Sequence, residues 1–258
     1  MKTAFIAGLL AMFAPAAASA QAISVGAGGS YSSGRYGGTD RVEVASTYVS
    51  VGATRADWRL DATFPYLFVR TGGSAVDAGG IVLPGEGRRS ASGLGDATLR
   101  LSGPLPLEAP VTVTVGAQVK LPTGSREVST GQVDASADVE ISREMGRLTP
   151  FASAAYRAYG DSIDLELENG WTLSAGSSLS VGTTALILSY DWSQSAVGGP
   201  ASQELFAVAA GRLTPRLGWT LYGSKGLSSG AADFLLGAGV TRSFGPAPVD
   251  TPRRTPRL

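Results

Sequence analysis

The sequence predicts an all-β fold, a transmembrane antiparallel up-and-down β-barrel of about 12 strands. Three observations predict it: apolar residues recur with a period of two, tight turns alternate with longer loops, and aromatic residues gather near both ends of the strands. After the amino-terminal segment no apolar run is long enough for a membrane-spanning helix. Any membrane crossing would therefore have to use strands.

The amino-terminal segment, residues 1–20, has the pattern of a secretory signal peptide. A basic start is followed by an apolar run from Ala4 to Ala14, and small residues lead to a cleavage site after Ala20. The apolar run is too short to span a bilayer. We therefore expect an exported protein whose fold begins after this segment.

Twelve segments alternate between apolar and polar residues. In residues 110–120 the valines share one face, while Thr112, Thr114 and Lys120 lie on the other. The tight connections fall at one end of the predicted meander and the looser loops at the other, as in outer-membrane barrels. The predicted strands are 22–32, 42–54, 58–70, 96–103, 110–120, 132–143, 148–159, 171–181, 185–194, 202–212, 217–226 and 231–244.

Aromatic residues fall where the two membrane interfaces are expected. Phe244 ends the last strand, so it is predicted to lie where that strand pairs with the first. The barrel is thus predicted over 21–244, and the Pro- and Arg-rich residues 245–258 form a disordered periplasmic tail. The residues assigned to the turn end are Trp58, Phe151, Trp219 and Phe244, and those nearer the loops are Phe64, Tyr66, Phe68, Trp171, Tyr190, Trp192 and Phe234.

The composition excludes several classes of function. There is no Cys and no His, so disulfides, thiolate chemistry, histidine bases and His-ligated zinc are closed to this chain. Lys plus Arg and Asp plus Glu both number 21, and this balance argues against nucleic acid as a partner. We expect no enzyme, no metal site and no cofactor.

Three segments carry a family resemblance: DATFPYLFV at 61–69, SGLGDATLRL at 92–101 and VKLPTG at 119–124. Together they resemble the outer-membrane family named for the meta-pathway of phenol degradation, which is grouped with aromatic-hydrocarbon transporters. The resemblance implies a barrel in the cell outer membrane of a Gram-negative bacterium that lets small, often hydrophobic compounds cross. GVTRSF at 239–244 also resembles barrel ends whose terminal aromatic serves as an assembly signal, which implies the outer-membrane assembly machinery as a partner.

The charged residues of the polar parity are the candidate lumen wall. A Lys or Arg facing lipid near the midplane costs about 2–4 kcal/mol, so these side chains are expected to face inward. They either line a pore that selects permeants or pair across the lumen and fill it, because twelve strands fall between filled and water-filled barrels. The predicted pore-lining residues are Arg59, Asp61, Arg100, Lys120, Asp134, Asp138, Glu140, Arg157 and Asp191.

The longest predicted loop, 71–93, contains an apolar patch formed by Ile81, Val82, Leu83 and Pro84. An apolar cluster gains nothing from standing in water. It is predicted to fold over the mouth as a constriction loop, and the alternative is a surface loop that packs against its neighbours.

The sequence therefore favours a passive outer-membrane channel or transporter for small compounds, including hydrophobic or aromatic ones. Its partners would be outer-membrane lipid and a small-molecule permeant. Two other classes stay open: a structural or surface-adhesive barrel with a closed lumen, and a soluble exported all-β binding protein.

Overall fold

The structure, a computed structural model, describes residues 22–71, 76–78, 81–83, 90–161 and 166–245. Its strands are β1 (Ala22–Gly34), β2 (Val42–Arg55), β3 (Trp58–Arg70), β4 (Val76–Ala78), β5 (Ile81–Leu83), β6 (Ser90–Leu94), β7 (Ala97–Pro104), β8 (Thr112–Leu121), β9 (Asp134–Ser142), β10 (Leu148–Ala158), β11 (Gly170–Val181), β12 (Thr184–Ser193), β13 (Ser202–Thr214), β14 (Leu217–Gly226) and β15 (Ala232–Phe244). The predicted signal peptide and nearly all of the predicted tail lie outside the described residues and stay predictions.

The strands form a closed antiparallel barrel. From β7 to β15 each strand pairs with the next, β1 pairs with β2 and β2 with β3, and β15 returns to pair with β1 from Ile23 opposite Phe244 to Gly34 opposite Ala232. Strands β6 and β7 both pair with β3 and together form one wall segment. The barrel therefore has twelve wall segments, which confirms the predicted fold class. Within the described residues there is no helix of the length and hydropathy needed to cross a membrane.

The wall formed by β6 and β7 is interrupted at Gly95 and Asp96. Pro65 on β3 lies opposite this interruption, and its carbonyl accepts a 2.9 Å hydrogen bond from the Gly95 amide. Proline cannot donate to a strand ladder, so it is tolerated where the ladder is already broken. This explains the proline inside the otherwise regular strand β3.

The predicted loop 71–93 is partly strand. Residues Ser90–Leu94 belong to the barrel wall as β6, and β4 and β5 form a separate two-stranded hairpin. The boundary prediction for this loop was therefore too long. Its Gly and Ser content concealed a strand that lacks apolar alternation.

The two faces of the wall differ as a membrane barrel requires. Large apolar side chains are exposed on the outer face, with Leu236 at 63% and Leu188 at 58% of their full accessibility. The polar and charged side chains of the same strands face inward, where Asp134 and Glu140 are buried. An apolar outer face and a polar interior are the arrangement of a membrane barrel.

The aromatic residues follow the predicted bands with one exception. Trp58, Phe64, Trp171 and Phe244 are exposed on the outer face. Phe151 is not, because it pairs with Ser142 of β9 and shares the parity of Ser153, which lies opposite the buried Glu140. The prediction that Phe151 belongs to the outer aromatic band is therefore wrong. Because Pro150 lies near the start of β10, the sequence did not show which face of this strand Phe151 occupies.

The turn between β2 and β3 shows how the strands are joined by short connections at the turn end of the barrel. Ala56 and Asp57 both have positive φ, 44° and 67°, between the paired residues Arg55 and Trp58. Two consecutive positive φ angles match the right-handed twist of a two-residue hairpin. The turn therefore joins β2 to β3 without spreading the strands.

Phe244→Asp is expected to impair barrel assembly. Phe244 lies on the closing seam opposite Ile23, and the guanidinium of Arg242 lies 5.4 Å from its ring centroid. The substitution removes the phenyl ring from its place opposite Ile23 and puts a carboxylate at the membrane boundary. Heat-modifiable gel mobility would measure the folded fraction.

Deletion of residues 246–258 is the control for this variant and is expected to leave barrel formation intact. A deletion that blocked folding, beside a Phe244→Asp protein that folded normally, would contradict this view of the closing strand.

Candidate functional site

The structure places all nine candidate wall residues at inward-facing positions. The register sets this facing, because each lies opposite another inward residue; Arg100, for example, pairs with Asp61 and Gln118. Whether they line a conducting pore stays a prediction. The residues are Arg59, Asp61, Arg100, Lys120, Asp134, Asp138, Glu140, Arg157 and Asp191.

The lumen wall formed by β3, β7 and β9 carries paired charges. The guanidinium of Arg59 donates two 2.6 Å hydrogen bonds to Asp61, and Arg100 donates a 2.7 Å hydrogen bond to Asp138. Side chains of the Arg100 and Asp138 pair are only 21% and 11% exposed. Partly buried ion pairs hold fixed positions when their hydrogen bonds are satisfied. This side of the lumen is thus a mixed-charge surface whose charges are paired.

A second charge cluster lies at the loop end of the same wall. The Lys120 ammonium lies 3.0 Å from Asp96 and 2.9 Å from Asp134, and it donates a 3.0 Å hydrogen bond to Thr130 Oγ1. The other Asp134 oxygen accepts a 3.0 Å hydrogen bond from the Gly160 amide. Lys120 therefore joins the barrel wall to the loops at its mouth.

Residues 122–133, the mouth segment, connect β8 to β9 and are held by Asp96. One Asp96 oxygen accepts a 2.9 Å hydrogen bond from the Gly124 amide, and the other accepts a 2.6 Å bond from Ser129 Oγ. The Ser125 amide also donates to the Leu94 carbonyl at 2.7 Å. Asp96 therefore anchors a segment more than 25 residues further along the chain.

The three segments that carry the family resemblance meet at this point. DATFPYLFV supplies the Pro65 carbonyl to Gly95 of SGLGDATLRL, and VKLPTG supplies Lys120 and Gly124 to Asp96. The Ala97 amide donates a 2.9 Å hydrogen bond to Thr123 Oγ1. The segments are therefore parts of one structural unit, the attachment of the mouth segment to the interrupted wall.

The mouth segment turns into the barrel rather than into solvent. Val128 is 2% exposed and packs in an apolar cluster with inward-facing residues of β2 and β3. Inward-facing side chains of β2 and β3 thus contact a segment that connects β8 to β9, so the cluster lies within the loop end of the lumen. Its members are Tyr36, Val42, Val44, Leu67, Val69, Val128 and Ala232, with Ala91 packed against them.

The opposite side of the lumen is built from glycine and aromatic residues. Tyr48 lies against Gly28 and Gly239, and Tyr222 lies against Gly237, so closely that a Cβ on any of these glycines would collide with the phenol. The Tyr222 and Phe206 ring centroids are 6.4 Å apart. Aromatic rings over strand glycines cover backbone that has no side chain of its own. This half of the lumen is an uncharged aromatic surface.

A carboxylate pair lies between these two surfaces. Asp191 of β12 and Glu204 of β13 are direct cross-strand partners on the inner face. Asp191 accepts a 3.0 Å hydrogen bond from Ser189 Oγ. In the described part of the chain neither carboxylate forms an ion pair, whereas Arg59, Arg100 and Lys120 are all paired. The lumen therefore carries an excess of negative charge near this pair.

The structure describes only part of the predicted constriction loop. Ile81, Val82 and Leu83 lie in β5, of which the structure describes the backbone alone, and Pro84 lies outside the described residues. Their contact with the lumen stays a prediction. Residues 122–133, in contrast, are a segment at the mouth whose side chains the structure describes.

Sequence reasoning missed several lumen residues. Val128 gave no signal, because it stands alone in a polar loop. Tyr222 and Glu204 could have been found, since each shares the inward parity of its strand with small or polar neighbours. A rule that assigned apolar residues to lipid concealed Tyr48 and Phe206. Burial of rings against glycine requires knowledge of the partner strand.

Comparison with known proteins identifies the fold but no family. No family model matches the sequence, and neither does any curated protein. The NanC porin structure superposes with a TM-score of 0.54 at 12% identity over 84% of this chain and 98% of that one. The translocator domain of the autotransporter NalP from Neisseria meningitidis gives 0.51 at 13% identity, covering 94% and 98%. The β-domain of the Bordetella autotransporter BrkA gives 0.51 at 10% identity, covering 86% and 99%.

Identities this low show a shared fold and nothing finer. The closed twelve-segment barrel, its apolar outer face and its likeness to these barrels agree with one another. The chain therefore has the closed β-barrel fold of outer-membrane proteins.

Proposed function

We propose that the protein is a passive outer-membrane channel for small molecules, including hydrophobic and aromatic compounds. The observation that carries the proposal is the two-sided lumen. A fixed mixed-charge wall around Arg100 and Asp138 faces an aromatic and glycine wall around Tyr48 and Tyr222. Such a surface offers a planar apolar solute a ring contact on one side and polar contacts on the other.

The resemblance to the meta-pathway of phenol degradation family supports the same class of permeant. The three segments that carry this resemblance attach the mouth segment to the barrel wall. In this proposal they therefore control the entry of solutes into the lumen. The nine inward charges then act as the pore wall, and the mouth segment with its Val128 cluster narrows the entrance.

Planar-bilayer recording tests the proposal. The purified protein is expected to give discrete conductance steps. In a KCl gradient its reversal potential should show a preference for K⁺ over Cl⁻, because Asp191 and Glu204 have no cation partner among the described residues. The double variant Asp191→Asn with Glu204→Gln should move the permeability ratio toward unity.

A matched control removes two carboxylates from turns outside the barrel strands. Asp57 and Glu144 are exposed turn residues, and Asp57→Asn with Glu144→Gln should leave the ratio unchanged. Conductance without a preference for K⁺ over Cl⁻ would show that the carboxylate pair does not select cations. A correctly folded protein that never conducts would favour the structural barrel with a closed lumen.

A further inference from the structure

The turn end of the barrel is rich in arginine. Acidic residues are fewer there, whereas at the loop end both signs of charge are mixed. A positive rim on a membrane protein lies at the level of lipid headgroups when the adjacent outer face is apolar. The cations at this end are Arg55, Arg143, Arg147, Arg212, Arg216 and Arg242, and the acidic residues described there are Asp57, Glu108 and Glu144.

A groove opens on the outer side of this rim beside the last turn. It has a volume of about 470 Å³ and is lined by Thr214, Pro215, Arg216, Leu217 and Arg242. Leu217 and Arg242 are direct partners on β14 and β15, and Arg242 alternates with the exposed outer residues Val240 and Phe244. The groove therefore faces the membrane boundary and not the lumen.

The walls of the groove are fixed. Thr214 Oγ1 accepts hydrogen bonds from the amides of Arg216 at 3.3 Å and Leu217 at 3.1 Å. The Arg216 carbonyl accepts a 2.9 Å bond from the Ser243 amide, which ties the turn to β15. The Arg242 guanidinium lies 5.4 Å from the Phe244 ring centroid. Arg216 is thus held on a short, hydrogen-bonded turn, and Arg242 lies beside it on strand β15.

The same combination recurs at the first turn. A groove of about 280 Å³ is lined by Arg55 together with the outward side chains of Trp58, Leu60 and Leu101. Each groove joins arginine at the rim to apolar side chains toward the hydrocarbon. This order of polarity matches the order of phosphate and acyl chain in a phospholipid.

We propose that the groove at Arg216 and Arg242 binds the headgroup phosphate of an anionic phospholipid in the periplasmic leaflet. The guanidinium groups contact the phosphate oxygens, for which their planar donor geometry is suited. The upper acyl chain lies along Leu217. The Arg55 groove is a second, smaller site of the same kind. The proposal does not depend on conductance.

The test compares thermal unfolding of the barrel in two kinds of liposome. Heat-modifiable gel mobility gives the midpoint in pure phosphatidylcholine and in phosphatidylcholine mixed with phosphatidylglycerol. For the wild-type protein the phosphatidylglycerol membrane is expected to raise the midpoint by several degrees. Arg216→Gln with Arg242→Gln should lose most of that rise.

The matched control changes the same charge at the opposite rim. Arg41→Gln with Arg70→Gln, at the loop end, should keep the rise. If both double variants lost it equally, the effect would come from overall charge and the proposed site would be wrong. No rise in the wild-type protein would also overturn it.

Two further arms keep the result decisive. If the double variant fails to fold, Arg216→Gln alone is measured, and it should lose part of the rise. Inorganic phosphate added to phosphatidylcholine liposomes should have no comparable effect. A midpoint that rose as much with phosphate as with phosphatidylglycerol would identify a free-anion site and contradict lipid binding.

Discussion

Replacement of residues 124–131 with a short Gly-Ser linker is expected to raise the single-channel conductance severalfold. The replacement removes Val128 from the apolar cluster and removes Gly124 and Ser129, which bind Asp96. It also removes Ser125 and Thr130, which bond to Leu94 and Lys120, and it keeps the hydrogen bond from the Ala97 amide to Thr123 at the start of the segment. Discrimination among solutes of different size should weaken at the same time.

Point substitutions separate packing from loop length. Val128→Asp places a carboxylate in an apolar cluster without a partner, which costs more than a surface charge change. This substitution should raise the single-channel conductance, as the linker replacement does. Arg126→Asp, on the exposed side of the same segment, is the control and should not.

The replacement of residues 75–90 tests the sequence-based alternative that Ile81, Val82, Leu83 and Pro84 form the constriction. If this replacement raised conductance and the Val128→Asp protein conducted as the wild type does, the constriction would lie in residues 71–93. The account of the mouth segment would then be wrong.

Val139→Arg is expected to lower the free energy of unfolding by about 2–4 kcal/mol, the cost of an arginine facing hydrocarbon near the midplane. Val139 lies in the middle of β9 on the outer face and is 40% exposed. Denaturant unfolding in liposomes, followed by tryptophan fluorescence and gel mobility, would measure the change.

Ser153→Arg is that control. Ser153 lies one strand away at nearly the same depth, on the inner face opposite Glu140. A cation there meets a carboxylate and the polar lumen, so stability should change little. Equal losses for both variants would contradict the assignment of faces in this hairpin.

The wall of the barrel could be predicted from the sequence because the membrane imposes one simple rule. A strand between lipid and lumen must alternate, and residues 110–120 and 132–143 do so plainly. The predicted segments match the twelve wall segments to within a few residues, apart from the interrupted one. There Ser90–Leu94 lacks apolar alternation, so no periodic signal marked it as a strand.

The interior could be predicted only in part, because it depends on which residues meet across the lumen. The inward charges followed from parity, since each lies on a regular strand. Tyr48 and Val44 did not, because their strand places aromatic and apolar residues on both faces. Val128 and Tyr36 come from loops, whose direction depends on hydrogen bonds such as that from Gly124 to Asp96. Long-range contacts of this kind leave no local pattern.

Liposome swelling with the wild-type protein tests the central claim, passive passage of small molecules, most directly. Folded barrels are reconstituted, and swelling rates are compared for a neutral hydrophilic, an anionic and a neutral aromatic solute of similar size. The account predicts rates above those of protein-free liposomes for the two neutral solutes, with the anionic solute slower because of the Asp191 and Glu204 carboxylates. Rates equal to those of protein-free liposomes for all three solutes would contradict it.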